Sequence, residues 1–234
     1  MPALARAASP RRSRIANIPG PELRLPSLNA IVDVEAAERA GWTPTDLARA
    51  FLNGGARFLQ LRAKGLAGAD FLDTAAAIVE LARPLDAIVI VNDRADIARL
   101  AGAAGVHVGQ DDLSPRAVRR VIGAGAIVGL STHSVEQLER AMEEPVSYVA
   151  VGPVFGTATK STGYGAIGLE RVADAARRAS ARDLPLVAIG GITLDRAASV
   201  IAAGATSVAV IGDLLATGDP EGQTRNFLSR IGTH

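Results

Sequence analysis

The sequence contains no cysteine, which excludes disulfides, thiolate nucleophiles and Cys-ligated metal together. Aromatic residues make up only 3%, so stacking platforms for single-stranded nucleic acid are few. No apolar run approaches the roughly 18 uninterrupted residues of a membrane-spanning helix. The expectation is a soluble, cytoplasmic protein with neither a membrane nor a nucleic-acid partner. Histidine occurs three times, once as His234, which argues against a His-rich zinc site. What is present is a chain of 234 residues, 48% hydrophobic and 21% charged. That is enough for one domain with a sizeable core of Ala, Val, Ile and Leu, a composition suited to packed parallel strands and helices.

The net charge of +1 is unevenly spread. Residues 1–28 carry Arg6, Arg11, Arg12, Arg14 and Arg24 against Glu22, a net of +4 that leaves −3 for the remainder. Pro2, Pro10, Pro19, Pro21 and Pro26 interrupt any periodicity there. The segment reads as a poorly ordered basic extension outside the fold. A transit peptide and a nucleic-acid arm are the competing readings; five arginines without a basic folded surface would bind phosphate backbones only weakly.

From residue 29 onward, short β-branched runs alternate with amphipathic Ala/Arg/Leu-rich stretches, the pattern of strands each covered by a following helix. Eight strands are predicted: Asn29–Val34, Arg57–Arg62, Ala87–Asn92, Gly105–Val108, Ala126–Leu130, Ser147–Val151, Leu186–Ile189 and Ser207–Ile211. Thr43-Pro44 and Ser114-Pro115 are helix-start signals, and another helix should open near Ser134. Gly55-Ala56, Gly125-Ala126 and Gly204-Ala205 punctuate the entries to strands. This repetition favours a single-domain (β/α)8 TIM barrel over residues 29–234, rather than an open doubly wound sheet. The longest strand-to-helix loop, from Gly152 to about Gly168, is a candidate functional lid.

In such a barrel the loops after the strands gather on one face, so polar strand ends converge. Alternation points Gln60, Arg62 and Lys64 to one side of the second strand. The third strand ends in Asn92 and Asp93. The fourth runs through His107 and Gln110 to Asp111 and Asp112, the fifth ends in Ser131 and His133, and the sixth leads to Thr157, Thr159 and Lys160. Each alone could be a surface cation or a turn former; five consecutive strand ends of this kind point to function. Cations together with hydroxyl and amide donors suit a diphosphate. Asp93 and Asp112, on neighbouring strands, offer the oxygen ligands of Mg²⁺, a cation usually held by one or two carboxylates plus substrate phosphates. Gly190-Gly191 after the seventh strand and Ile211-Gly212 after the eighth suggest a second anion site of backbone N–H groups.

The runs QLRAK (60–64), VND (91–93), GVHVGQDDL (105–113), GLSTHS (129–134), GPVFGTATK (152–160) and AIGGI (188–192) resemble those of thiamine-phosphate synthases, from about residue 29 to the end. The resemblance implies joining of hydroxymethylpyrimidine diphosphate to a thiazole phosphate, giving thiamine phosphate and pyrophosphate. By position, Gln60, Arg62, Lys64, Asn92, Ser131 and Lys160 would grip the pyrimidine diphosphate, with Arg62, Lys64, Ser131 and Lys160 catalytic. Asp93 and Asp112 would bind Mg²⁺. Thr157, Thr159, Gly191, Ile211 and Gly212 would hold the thiazole phosphate. The family's ionisation route, in which pyrophosphate leaves before the thiazole nitrogen attacks, needs no protein nucleophile.

Three features depart from the family pattern. The first strand ends in Val32, Asp33, Val34 rather than the family's aromatic and Thr-Asp end; the eighth ends in Ile211, Gly212, Asp213 where a serine commonly follows the hydrophobic residue; and the basic extension has no counterpart. An unpaired Asp213 beside a phosphate would be unfavourable. Two rival readings fit the residues less well. A thiazole tautomerase could use His133 as acid or base but would have no use for QLRAK or the two aspartates, and a non-catalytic phosphate sensor leaves so many polar strand ends unexplained. The sequence is compatible with a homo-oligomer and does not specify one.

Overall fold

A computed structural model of the chain describes residues 23–156 and 164–232. Eight parallel strands close into a barrel in sequence order, β1-β2-β3-β4-β5-β6-β7-β8. They are β1 Leu28–Asp33, β2 Phe58–Arg62, β3 Ile88–Asn92, β4 Gly105–Val108, β5 Ile127–Thr132, β6 Tyr148–Val151, β7 Leu186–Ile189 and β8 Ser207–Val210. Closure is made by β1 against β8, with Leu28 opposite Val208 and Ala30 opposite Val210. Among the described residues the helices are α1 Val34–Arg39, α2 Pro44–Asn53, α3 Gly68–Ala82, α4 Ala95–Leu100, α5 Pro115–Ile122, α6 Val135–Ala141, α7 Gly168–Ser180, α8 Leu194–Ala202 and α9 Pro220–Ile231.

Each predicted strand is found, with bounds moved by local chemistry. Val34 belongs to α1, not to β1, because the Asp33 carboxylate accepts from Ala36 N at 2.9 Å and starts the helix there. β5 runs on to Thr132 because Ser131 and Thr132 pair with Ala150 and Val151 of β6. Ile211 leaves β8, turning with ψ −81° into a short 3₁₀ turn, Gly212–Leu214. Thr43, Ser114 and Ser134 each cap a helix as expected, accepting from Asp46, Ala117 and Gln137 N respectively. Gly55 and Gly204 carry the chain out of helices at φ +103° and +101°; after α5 that conformation falls on Gly123 instead of Gly125.

Residues 1–22 of the expected extension lie outside the described residues, but residues 23–28 are packed. Leu25 is 4% exposed and joins the barrel-interior cluster of Ile31, Phe58, Ile90 and Tyr148. The Ser27 hydroxyl donates to Gly232 O at 2.6 Å. The folded part therefore begins ahead of residue 29.

Two faces of each strand are buried, one against helices and one inside the barrel. The outer core is Val, Leu and Ala, as in Val89, Val91, Val106 and Val108 against helix residues such as Phe71 and Ile78. Period-two alternation sends Asn29, Ile31 and Asp33 inward from β1 and Phe58, Gln60 and Arg62 from β2, while β6 contributes Tyr148 and Ala150. The barrel is thus apolar at one end and polar toward the strand C-termini. Room for the Tyr148 ring is left by Gly129 on the adjoining strand, where a Cβ would collide with that ring and with His107. Gly129→Ala is expected to cost about 1–3 kcal/mol by overpacking. Gly125→Ala, whose Cβ would meet nothing within 4 Å, should stay within about 0.5 kcal/mol. Urea unfolding checks both, and equal stability of the two variants would contradict this packing.

Candidate functional site

The C-terminal ends of the strands hold two adjoining cavities. One, of about 40 Å³, lies at the barrel centre and is lined by Asn29, Gln60, Arg62, Asn92, His107 and Tyr148, among others. The other, of about 370 Å³, is walled by Gly190, Gly191, Ile211, Gly212 and Asp213. Ser131, Ile189, Ala209 and Ile211 line both.

Three carboxamides run across the first cavity. Asn29 Nδ2 donates to Gln60 Oε1 at 3.4 Å, and Gln60 Nε2 donates to Asn92 Oδ1 at 3.0 Å. Asn29 Oδ1 is buried with no hydrogen-bond partner among the described residues. From β4, His107 reaches Ser131 Oγ with Nε2 at 2.8 Å and the Tyr148 hydroxyl with Nδ1 at 2.9 Å. Gln110 Nε2 donates to Ser131 O at 2.7 Å, tying the fourth loop to the fifth strand.

At the rim, cations and carboxylates are interleaved. Arg62 pairs with Asp33, which is 3% exposed. Lys64 Nζ lies 2.8 Å from Asp93 Oδ2. Asp93 takes the left-handed conformation at φ +63°, unusual for a non-glycine. Its N–H donates to His107 O at 2.7 Å, which locks the turn. Burial pushes the Asp93 carboxyl above the usual carboxylate range; Lys64 opposes that, and the neighbouring Asp112 carboxylate adds to it. Asp93 and Asp112 are therefore close enough to feel one another's charge, although they come from different loops. Asp112 is itself oriented by accepting from Gly109 N at 2.7 Å. Among the described residues no three His, Cys, Asp or Glu side chains gather as a metal-ligand set. Two neighbouring carboxylates with no histidine or cysteine beside them among the described residues fit a hard cation that completes its shell with phosphate oxygens and water, and do not fit zinc.

The second cavity is lined by main chain. Gly190 and Gly191 adopt φ +104° and +62° and lie against Pro153 and Phe155, so that neither could carry a side chain in place. The described part of the sixth loop is pinned there by Val154 N to Ile189 O at 2.9 Å and Phe155 N to Gly190 O at 3.0 Å. Asp213 is not left unpaired in this wall: its Oδ2 accepts from Leu194 N at 2.8 Å and from Gln223 Nε2 at 3.4 Å. It supplies the cap that Thr193 does not give α8.

Of the residues singled out in the sequence, Gln60, Arg62, Asn92, Ser131, Gly191, Ile211 and Gly212 line these cavities, and Lys64, Asp93 and Asp112 stand at the rim. Thr157, Thr159 and Lys160 lie outside the described residues. Not anticipated were Asn29 and Tyr148 in the barrel interior and Arg196, which lies over the Phe155 ring at 4.8 Å and donates to Gly191 O at 3.1 Å. The inward parity of Asn29 and Tyr148 was available from alternation, since they share the sides of Asp33 and Ala150. Asp33 combines a helix cap with an ion pair. Asp33→Ala is expected to lower unfolding free energy by about 2 kcal/mol, and Asp33→Asn, which keeps the cap, by less. Chemical denaturation measures this, and an unchanged Asp33→Ala protein would contradict the arrangement.

Residues 28–214 match the family model described as thiamine monophosphate synthase. A thiamine-phosphate synthase of Roseiflexus sp. (strain RS-1) is 45% identical over 202 residues, covering 86% of this chain and 84% of that protein. One from Koribacter versatilis (strain Ellin345) is 45% identical over 208 residues, covering 88% and 96%. Among solved structures, thiamine phosphate pyrophosphorylase from Pyrococcus furiosus superposes with a TM-score of 0.79 at 28% identity, over 88% of this chain and 95% of that one. A 3-hexulose-6-phosphate synthase, at TM-score 0.64 and 21% identity, shares the fold over 88% of this chain and 100% of that one. With a family model spanning all eight strands and relatives of this similarity, the chain belongs to the thiamine monophosphate synthase family.

Proposed function

We propose that this chain is a thiamine-phosphate synthase, a transferase that joins a pyrimidinylmethyl diphosphate to a thiazole phosphate. The observation that carries the reading is the meeting of Arg62, Lys64, Asp93 and Asp112 at one rim, beside a polar barrel centre and a glycine-walled cavity. The pyrimidine ring would enter the central cavity against Gln60 and Asn92, and its diphosphate would lie at the rim. The thiazole phosphate would take backbone N–H groups of Gly191, Ile211 and Gly212, the usual phosphate position of such barrels. Asp93 and Asp112 would hold Mg²⁺, which when bound neutralises charge on the diphosphate and on departing pyrophosphate.

In the reaction, the bond between the methylene carbon and the diphosphate oxygen breaks, and its electron pair leaves with pyrophosphate. The thiazole nitrogen then gives its lone pair to the cationic carbon, forming the new C–N bond. Arg62 and Lys64 act on the first event, offering a guanidinium fork and an ammonium to oxygens whose charge is growing. Both are already held by carboxylates, so little reorganisation is needed to present them. The walls of the central cavity keep water from the cation. His133, the group a tautomerase would need, has Nδ1 engaged by Gly152 O at 2.6 Å and its ring stacked on Tyr164. The proposal includes a cytoplasmic location, where phosphorylated substrates are retained.

Purified protein given both substrates and Mg²⁺ should yield thiamine phosphate and stoichiometric pyrophosphate. Asp93→Ala or Asp112→Ala should lower kcat on the order of a hundredfold, the scale for loss of one transition-state contact. Isomerisation of the thiazole without pyrophosphate release would contradict the assignment.

A further inference from the structure

Ser131, His107 and Tyr148 form a hydrogen-bonded line through the barrel interior. Tyr148 is 0% exposed, stacked on the His107 ring at a centroid distance of 5.5 Å and edge-on to Phe58 at 6.1 Å. His107 Nδ1 is the one hydrogen-bond partner its hydroxyl has among the described residues. Burial raises the phenol far above its ordinary ionisation range, so its hydrogen stays on oxygen. Among the described residues that hydrogen has a single acceptor within reach, Nδ1. A neutral imidazole that accepts at Nδ1 carries its own hydrogen on Nε2. An imidazolium would leave the buried phenol hydrogen with no acceptor, at a cost comparable to a lost hydrogen bond.

The consequence falls on Ser131. In that tautomer Nε2–H is the donor to Ser131 Oγ, 2.8 Å away, and the serine hydroxyl cannot also give its hydrogen to His107. The Ser131 side chain has no other protein partner among the described residues, and it lines both cavities. We propose that Tyr148 and His107 are positioning residues that fix the hydroxyl of Ser131 as a donor aimed at bound substrate. Without them the serine hydrogen could turn back onto an unprotonated Nε2. The inference rests on the reading of Ser131 as a substrate contact, but the tautomer can be observed with no substrate present.

With only three histidines in the chain, protein labelled with ¹⁵N in its histidine rings gives few signals, and His107→Gln identifies those of residue 107. In the ligand-free wild-type protein His107 should show a protonated Nε2 and an unprotonated Nδ1. The opposite tautomer overturns the proposal. In turnover, Tyr148→Phe should lower kcat roughly fivefold, the size of one hydrogen bond, with little change in KM for the pyrimidine diphosphate. In a Ser131→Ala background the same substitution should cause no further loss. An equal loss in both backgrounds would mean that Tyr148 acts through packing alone, and overturns the proposal. Absence of synthase turnover in the wild-type protein overturns the proposed function, and the relay's role with it, whereas the ring-nitrogen signals still report whether the line of hydrogen bonds exists.

Discussion

Closure of the sheet between β1 and β8 is the constraint on which everything else depends. An open sheet would place the ends of β1 and β8 at opposite edges; here Ala30 pairs with Val210 and Leu59 alike. Once the strands form a ring, alternation gives every second residue to a shared interior. Gln60, Asn92, His107 and Ser131 come from four strands and are separated along the chain, yet they line one small space. The same geometry brings the Asp93 and Asp112 carboxylates from successive loops into electrostatic contact. No local segment holds this chemistry; it exists only in the closed ring.

The site is also stabilised by contacts that its residues make with one another. Asp33 starts a helix with one oxygen and pairs with Arg62 through the other. Asp213 caps α8 from across the second cavity, so a carboxylate that would repel a phosphate has its charge taken up by a helix N-terminus. Asp93 keeps an uncommon backbone conformation because its amide extends the β3–β4 ladder to His107 O. These partners set the rim in place before ligand arrives, which is what an electrostatic mechanism requires.

Much of this was legible in the sequence, for definite reasons. Strands β2, β3, β4 and β7 are dense in Val, Ile and Leu and are bounded by turn residues, so their existence and order followed from pattern. Polar residues at their ends, such as Arg62, Asn92 and Ser131, were exceptions to that pattern and pointed to the site. Less accessible were interactions between distant positions. That Val34 would start a helix depended on the Asp33 cap, and that Asp213 would be harmless depended on Leu194 N, nineteen residues away. Nothing in the sequence set Tyr148 apart beyond its place in a predicted strand. Its role became visible only when β4, β5 and β6 aligned His107, Gly129 and the phenol side by side.

On the proposed function, one rim of the barrel, built from β2, β3 and the loops after β3 and β4, receives the diphosphate. A crystal structure of the protein grown with Mg²⁺ and pyrophosphate tests it most directly. Pyrophosphate is expected against Arg62 and Lys64, with the metal on Asp93 and Asp112. Pyrophosphate and metal bound at the opposite end of the strands, or on the outer helices, would contradict it.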